Sequence, residues 1–457
     1  MKGWKMKKFG FLAIALIVMQ AALAADGSKW QVDQVLDVAP VTAGFPVGFC
    51  LLTDGTRQYV AYYDADHQMT IASRMLDSDQ WTVQPLPSKV GWDSHNYITM
   101  TIDKAGQLHV SGNMHANPLV YFRTETAGDI TTLKKAAMTG EMEQKVTYPQ
   151  FLKNLKGDLI YTYRHGGSGN GINPYNIYDP KTQSWSRFLE TTLFDGEGKI
   201  NAYPQGPRRG PDGWFHAVWV WRDTPDCATN HDLSYARSKD LIHWESAFGD
   251  QVTLPIKIGQ TELCVDPIPS HGGIINGCAK LFFDSKNRPV INYHKSDENG
   301  KMQVYAARPE NGKWKIHQLT DWDQRIEFSG GGSMGFIGIK ISGLSEAAPG
   351  LLTMTYRHRD VGSGRLFVDE ATLKPSDKTV EILPEFPAEL SQLESDFSGL
   401  GVQRSSDVGD SGDPNIRYVL KWETLGRNRD RKRKTTVEAS ILKLYKLKHS
   451  HPIGHDV

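Results

Sequence analysis

The chain has 457 residues, its 52 basic and 52 acidic side chains balance, and 39% of its residues are hydrophobic. Balanced charge argues against a general nucleic-acid-binding surface, which would need a basic excess. Four cysteines in a chain of this length exclude a small disulfide-dense scaffold. We therefore expect one monomeric domain over residues 25–457 with no nucleic-acid partner.

Residues 1–24 have the features of a secretory signal peptide. Lysines precede an apolar run at 9–24, and Ala22-Leu23-Ala24 has the small residues that signal peptidase reads. The run is short for a membrane span, although an N-terminal anchor is the alternative. The sequence thus predicts a secreted or periplasmic protein without a membrane anchor.

A strand–loop–strand pattern recurs about every sixty residues, as in repeat architectures. The central strands of its seven copies end near Asp64, His115, Arg164, Arg222, His294, Arg357 and Glu423. Gly, Asn and Asp turns separate the strands, and about four strands fit each copy. This pattern predicts an all-β fold, a seven-bladed β-propeller; a pair of β-sandwiches is the alternative.

The Trp residues of this repeat follow turn-like clusters, as at Ser238–Trp244, and resemble degenerate Asp-box repeats of bacterial neuraminidases. They are Trp81, Trp185, Trp244 and Trp314. The last copy lacks an outer strand. We expect Trp30–Val38 to supply it by pairing with Ile441–Leu447, which would close the ring and remove an open sheet edge.

In a propeller blade, the first strand starts and the second strand ends at the same face. This rule gathers polar residues at one mouth, although each could instead hydrogen-bond its own loop. The residues are His95, Asn96, His115, Tyr148, Arg164, Tyr203, Arg222, His294 and Arg357. Arginine and histidine in such a set favour an anionic ligand, since guanidinium binds carboxylate or sulfate with two hydrogen bonds.

Five short segments resemble the active-site segments of ulvan lyases, which are seven-bladed propellers of polysaccharide lyase families 24 and 25. They are SerHisAsnTyr (94–97), GlyAsnMetHis (112–115), ThrTyrPro (147–149), TyrThrTyrArg (161–164) and AsnAlaTyrPro (201–204). The segments do not separate the two families. The resemblance implies a polysaccharide lyase that cleaves ulvan, a sulfated rhamnose–uronate polymer, by β-elimination and needs no catalytic cofactor.

Under this resemblance Arg164 is the candidate to neutralise the uronate carboxylate, helped by His95 and Asn96. Tyr148 is the candidate base and also a candidate acid, because one cation about 4 Å away could lower the pKa of a tyrosine from about 10 toward 8. His115 is the second acid/base candidate. The remaining candidates for substrate contact are Tyr203, Arg222, His294 and Arg357.

A structural zinc site is expected at Cys227, His231, Cys264 and Cys278, since three thiolates and one imidazole suit tetrahedral zinc. The spacing matches no finger pattern, and the expectation depends on the resemblance. His165 or His271 could replace His231. A Cys264–Cys278 disulfide is the alternative, and Cys50 is expected to be a buried core thiol.

Two further segments resemble known functional motifs, a glycine-rich run and a basic run. The glycine-rich run at 166–171 lacks the spacing and lysine of a phosphate-binding loop, so a flexible rim loop is expected. The basic run at 427–434 is expected to form a solvated hairpin tip, with contact to a sulfated polymer as the alternative.

Two rival functions stay open at this point. A sialidase-like hydrolase could use Arg164, Arg222 and Arg357 as an arginine triad, but no Arg-Ile-Pro-like segment precedes Asp64. A non-catalytic glycan-binding propeller would need aromatic platforms but not the Tyr148, Arg164 and His115 set.

Overall fold

A computed structural model describes residues 28–451, so the predicted signal peptide lies outside the described residues. Within 28–451 the chain forms β-strands and four one-turn 3-10 helices, at Ile130–Thr132, Cys227–Thr229, Thr261–Leu263 and Ala388–Leu390. None of the helices in this range could cross a lipid bilayer.

The described strands form seven antiparallel sheets, which we number as blades in chain order. Blade 1 contains Cys50–Asp54, Arg57–Tyr63, Gln68–Met75 and Thr82–Lys89. Blade 2 contains Ile98–Ile102, Leu108–Gly112, Tyr121–Thr124 and Leu133–Lys135. Blade 3 contains Val146–Lys153, Leu159–Gly167, Tyr175–Asp179 and Ser184–Arg187, with the short strands His115–Asn117 and Asn170–Ile172 at its end.

Blades 4 to 6 continue the same strand order. Blade 4 contains Asn201–Arg209, Phe215–Arg222, Asn230–Ser238, Trp244–Glu245, Gln251–Val252 and Cys264–Asp266. Blade 5 contains Lys280–Phe283, Pro289–Ser296, Met302–Glu310 and Lys313–Gln318. Blade 6 contains Ile339–Ile341 and Ser345–Ala348 on one edge of Leu351–His358, with Gly362–Asp369 on the other edge.

Blade 7 joins the two ends of the described chain. It contains Leu400–Ser406, Ile416–Leu425 and Ser440–His449, and its outer strand is Trp30–Val41. Trp30 pairs with His449 and Val41 with Ser440. The predicted pairing of the N-terminal strand with the C-terminal strand is confirmed, and so is the all-β propeller architecture.

The strand sequences explain this arrangement. Phe215–Arg222 is rich in aromatic and β-branched residues, and every residue in it is buried, as expected for a strand covered on both faces. Turns between strands use Asp and Asn side chains that accept backbone N–H groups two and four residues later, for example Asp103 from Ala105 (2.8 Å) and Gln107 (2.9 Å). Such side-chain bonds favour a turn over a continued strand.

One of the predicted Asp-box turns is well defined. The Asp240 carboxylate accepts the N–H groups of Ile242 and His243, both at 2.8 Å. Trp244 then inserts its side chain into the core at 1% exposure and donates its indole N–H to the Leu241 carbonyl (3.2 Å). The turn therefore places an aromatic side chain between neighbouring blades.

The hydrophobic core consists of clusters that lie between successive blades. Separate clusters join blades 7, 1 and 2, then 2 and 3, 3 and 4, 4 and 5, and 5 and 6. A fully buried large apolar side chain contributes about 1.5–3 kcal/mol, so these clusters hold the blades in a fixed order. The described loops of blades 6 and 7 instead meet through polar contacts of Ser329–Ser333 with Arg429–Asp430.

Candidate active site

The two histidines predicted to share a mouth lie side by side. His95 is in the loop that leads into blade 2, and His115 begins a short strand that pairs with Thr147 of blade 3. Their ring centroids are 4.2 Å apart. Loop and strand end thus bring the pair together as the repeat predicts.

Asp93 orients both imidazoles. One carboxylate oxygen pairs with Nδ1 of His95 at 2.7 Å, and the other pairs with Nδ1 of His115. Although burial raises it, the hydrogen bonds from His115 and His95 hold the pKa of Asp93 well below its usual range. Because Nδ1 of each ring faces this carboxylate, Nε2 is the ring nitrogen that can meet a substrate.

His95 has a second carboxylate partner, Asp430, whose Oδ2 lies 3.4 Å from Nδ1. Burial lowers the pKa of His95, but the hydrogen bonds and charges of Asp430 and Asp93 outweigh it and raise the pKa to about 9. His95 therefore carries a positive charge at neutral pH.

Tyr148 owes its position to an irregular strand. The register between Val146–Lys153 and its partner shifts between Thr147 and Gln150, and Tyr148 has a backbone φ of 57°. A bulge of this kind redirects a side chain, and the left-handed conformation costs about 1–3 kcal/mol in a residue other than glycine. The Tyr97 hydroxyl supports the bulge by donating to the Pro149 carbonyl at 3.0 Å.

Arg164 is the centre of a stacked group with two tyrosines. Its guanidinium lies 4.9 Å from the ring of Tyr148 and 5.9 Å from the ring of Tyr203. It donates to the Thr147 hydroxyl at 3.0 Å and to the Tyr203 hydroxyl at 3.4 Å. The Tyr203 hydroxyl in turn bonds Ser168 at 2.7 Å. The predicted Tyr148, Arg164 and Tyr203 thus form one group.

The charge of Arg164 does not dominate the ionisation of Tyr148. Burial raises the pKa of Tyr148 to about 12, and the opposing effect of Arg164 is smaller. The expected lowering of this pKa toward 8 is therefore wrong. The reason is that the ring is desolvated by the same packing that brings Arg164 close.

Several buried polar groups of the candidate site have no hydrogen-bond partner among the described residues. Arg164 is 2% exposed and its Nε–H is unpaired; the Asn96 Oδ1 and both amide atoms of Asn201 are also buried and unpaired. A Cβ at Gly171 would lie 2.4 Å from Asn201 Oδ1 and 2.9 Å from Arg164 Cγ, so only glycine fits between them. Unpaired buried polar groups cost about 1–3 kcal/mol each, so a polar partner that reached these groups would be stabilising.

Arg222 supports a loop in this structure. Its guanidinium lies 5.3 Å from the Tyr203 ring, but its N–H groups donate to the carbonyls of Thr224, Pro225 and Asp226. Arg222 therefore borders the predicted site mainly as support for the loop.

Two other predicted contacts have different surroundings. His294 is 2% exposed and hydrogen-bonds the Gly273 carbonyl (3.0 Å) and Cys278. Arg357 is exposed and its guanidinium lies 4.4 Å from the ring of Phe336. The described contacts join neither residue to the Tyr148–Arg164 group.

The glycine-rich run is part of a hairpin instead of a flexible rim loop. Gly166 pairs with Gly171 and Gly167 with Asn170, which leaves Ser168 at the tip beside Tyr203. The expectation of a flexible rim loop was wrong because glycine has a low strand propensity, so the sequence did not indicate that the strand continues through Gly166 and Gly167.

The four side chains expected to bind zinc do not form a cluster among the described residues. The His and Asp side chains that do lie within 4.8 Å of one another are His95, His115, Asp93 and Asp430, and we interpret them as a hydrogen-bond network. His231 pairs with Asp223 (3.0 Å) and Asp232 (2.9 Å), while Cys278 pairs with His294.

The four cysteines are all unpaired in the described part of the chain. Cys227, Cys264 and Cys278 are free thiols, so the Cys264–Cys278 disulfide is absent from the described residues. Cys50 is buried, and burial raises the pKa of its thiol to about 12, as expected for a core thiol. The zinc ligand set predicted from loose spacing is not assembled because each residue has a separate polar partner or a buried position.

Sequence reasoning missed several residues of the site. Asp93, Thr147, Ser168, Asn201 and Asp430 contact or border the predicted residues. Asp93 stands two positions before His95, and Asp430 is the one acid inside a basic run. These are the signals that could have identified them.

The chain resembles one described family and several ulvan lyases. Residues 57–322, more than half of the chain, match the family described as "BNR repeat-containing family member". A stretch of 248 residues is 37% identical to the short isoform of an ulvan lyase from Alteromonas sp. (strain LOR). The match covers 47% of this chain and 45% of that relative. A stretch of 78 residues is 40% identical to a long-isoform ulvan lyase from Glaciecola sp. (strain KUL10), covering 16% of this chain and 8% of the relative.

The chain thus spans less than half the length of these curated relatives. Among solved structures, the polysaccharide lyase Uly1 matches with a TM-score of 0.60 over 92% of this chain and 99% of that chain, at 14% identity. A PL25 ulvan lyase bound to -[GlcA(1-4)Rha3S]- matches with a TM-score of 0.56 over 90% and 95%, also at 14% identity. At this identity the likeness shows a shared fold.

Proposed function

The chain belongs to the BNR repeat-containing family, and from this premise we propose that it is a polysaccharide lyase that cleaves ulvan-type polymers by β-elimination. One observation carries the proposal. The Tyr148–Arg164 stack lies beside the Asp93-oriented histidine pair, with the His95 ring 6.0 Å from the Tyr148 ring. The 37% identity to an ulvan lyase over 248 residues supports the same substrate class.

Elimination at a uronic acid needs three groups. A cation must neutralise the C6 carboxylate, a base must take the C5 proton, and an acid must protonate the oxygen that leaves C4. The C4–O bond breaks as the C4–C5 double bond forms, so an unsaturated uronate remains at the new non-reducing end. No oxidant or metal is required to balance this step.

Arg164 and His95 supply the positive charge. The Arg164 guanidinium keeps a buried, unpaired Nε–H for a carboxylate that binds against it, and the protonated His95, which Asn96 follows in the same loop, can donate from Nε2. Charge builds on this carboxylate as the C5 proton leaves, so donors fixed in advance stabilise the transition state more than the ground state. Fixed donors in a buried site also act at a low effective dielectric.

His115 is assigned as the base and Tyr148 as the acid. Asp93 accepts the Nδ1–H of His115, so a neutral His115 presents its lone pair at Nε2, as in other carboxylate-oriented imidazoles. Tyr148, whose pKa is raised to about 12, holds its proton at neutral and mildly alkaline pH and can give that proton to the leaving oxygen. This assignment keeps both residues but moves Tyr148 from base to acid.

The first test is whether the protein forms an unsaturated uronate from ulvan. We expect purified protein incubated with ulvan to raise the ultraviolet absorbance of a conjugated uronate while the polymer shortens. The control is the Tyr148→Phe variant, which lacks the proposed acid and whose folding is verified by circular dichroism. A hydrolase would release reducing ends without the absorbance, and a glycan-binding propeller would retain the polymer without cutting it; either result would overturn the lyase proposal.

Arg357→Ala separates the lyase from a sialidase-like enzyme. In a sialidase-like triad Arg357 would act with Arg164 and Arg222, but here its guanidinium lies over the exposed Phe336 ring. We therefore expect Arg357→Ala to keep most of its rate on ulvan. A loss as large as that of Arg164→Lys would favour the triad.

The location and assembly of the enzyme remain predictions. Residues 1–24 predict export, which would bring the enzyme to a polymer too large to enter a cell. We expect a monomer. Secretion into the medium and a single species by light scattering would agree with both.

A further inference from the structure

The basic run between the last two strands of blade 7 reaches the histidine pair. In this run Asp430 is flanked by six basic residues, Arg427, Arg429, Arg431, Lys432, Arg433 and Lys434. The Asp430 side chain is 14% exposed and contacts His95, as described above. The run is therefore more than a solvated hairpin tip, because its one acid faces the protein.

Asp430 holds the segment that carries His95. Its Oδ1 accepts from the Ser94 N–H at 3.3 Å and from the Ser94 hydroxyl at 3.4 Å. Its Oδ2 accepts from the Ser333 N–H at 2.7 Å, and the hydroxyls of Ser94 and Ser333 are 2.5 Å apart. One carboxylate thus joins loops of blades 2, 6 and 7.

The backbone around Asp430 is held in an unusual conformation. Arg429 and Asp430 have φ values of 50° and 60°, which residues other than glycine rarely adopt. The Arg429 N–H donates to the Ser333 carbonyl at 3.2 Å, and a Cβ at Gly330 would lie 2.6 Å from Arg429 Nη1. Strain that the surroundings maintain in this way is typical of functional positions.

We propose that Asp430 is a positioning residue for His95, so that the last blade completes an active site otherwise built from blades 2 to 4. This inference rests on the proposed lyase function for its effect on rate. Asp430 acts through His95: with Asp93 it fixes the ring plane, and it fixes the Ser94 backbone that precedes the ring. Its charge also favours the protonated imidazole that faces the uronate carboxylate.

The groups that face His95 define the expected pH dependence. They are Asp93 from the same loop, His115 from the neighbouring strand, Tyr148 from blade 3 and Asp430 from the tip. The two carboxylates keep His95 protonated up to about pH 9, so activity that needs this charge should fall as pH rises through that value. Removing Asp430 should move the fall to lower pH.

The test compares Asp430→Asn with Asp377→Asn, which removes an exposed carboxylate outside the site. We expect proton NMR to show that the His95 pKa drops by about one unit in Asp430→Asn and stays unchanged in Asp377→Asn. On ulvan, kcat of Asp430→Asn should fall about 10-fold at high pH and recover toward wild type at low pH, with little change in KM. A uniform loss at every pH would indicate a merely structural role.

The two proposals fail differently. An unchanged His95 titration in Asp430→Asn would overturn the positioning role whatever the enzyme does. If the His95 titration shifted in Asp430→Asn but the wild-type protein formed no unsaturated product from ulvan, the lyase proposal would be overturned. The positioning of His95 by Asp430 would still hold. Should Asp430→Asn not fold, the wild-type titration decides, because a His95 pKa at or below that of free imidazole would contradict the proposal.

Discussion

Tyr148→Phe is expected to lower kcat on ulvan by at least about 10²-fold while KM changes little. The substitution keeps the ring that stacks on Arg164 at 4.9 Å and packs 6.0 Å from His95, but removes the hydroxyl that would protonate the leaving oxygen. Steady-state rates of unsaturated uronate formation measure the effect. The strained bulge at Tyr148 stays available to phenylalanine, so the fold should not change.

Tyr356→Phe is a matched control for the loss of a phenol. Tyr356 lies in blade 6 and packs against Trp322 with ring centroids 5.0 Å apart. We expect this control to keep normal turnover. Near-normal turnover of Tyr148→Phe itself would contradict the assignment of Tyr148 as the acid and would leave the fold unaffected.

The direction of the Tyr148 pKa shift gives a further check on its role. Burial raises this pKa to about 12, so a Tyr148 that acts as an acid stays protonated throughout the neutral and mildly alkaline range. The alkaline fall in rate should then follow His95, with a pKa of about 9, and not Tyr148. If the fall vanished in Tyr148→Phe while residual activity remained, Tyr148 would be the titrating group.

The architecture could be predicted from the sequence because each blade repeats the same local pattern. Because the first strand of each blade starts and the second strand ends at the same face, the repeat predicted which polar side chains would meet there. The contacts in the described residues bring five of them together: His95, His115, Tyr148, Arg164 and Tyr203. The N-terminal strand could be placed because the last copy of the repeat lacked an outer strand. The sequence repeat therefore predicted both the fold and the positions of the site residues that lie on strands or at their ends.

Residues on loops followed no such period. Asp430 contacts Ser94 across 336 positions of sequence, and its orientation depends on the turn at the end of blade 7. Arg222 ends a strand as predicted, but its guanidinium is taken up by the carbonyls of the loop that follows. The side chains expected to bind zinc are not clustered among the described residues for a related reason, since spacing along the chain does not specify where loop cysteines point.

Arg164→Lys is expected to lower kcat/KM on ulvan by about 10²–10³-fold, the range typical for losing a fixed transition-state donor. Lysine keeps the charge but lacks the planar fork, so its single nitrogen cannot occupy the separate positions from which Nη1 and Nη2 of Arg164 donate to Tyr203 and Thr147. Because Arg164 is 2% exposed between two aromatic rings, the ammonium would also be poorly solvated. Rates at saturating and limiting ulvan separate binding from turnover.

Arg308→Lys is the matched control for exchanging a buried arginine. Arg308 lies in blade 5 and pairs with Glu310 and, at 3.3 Å, with Asp284, so its exchange should lower the melting temperature without changing kcat of the folded enzyme. Arg164→Lys should instead lose activity while it remains folded at the assay temperature. If both variants lost stability alone and Arg164→Lys kept its kcat, Arg164 would be a structural arginine, and the carboxylate would have to be neutralised by His95 without it.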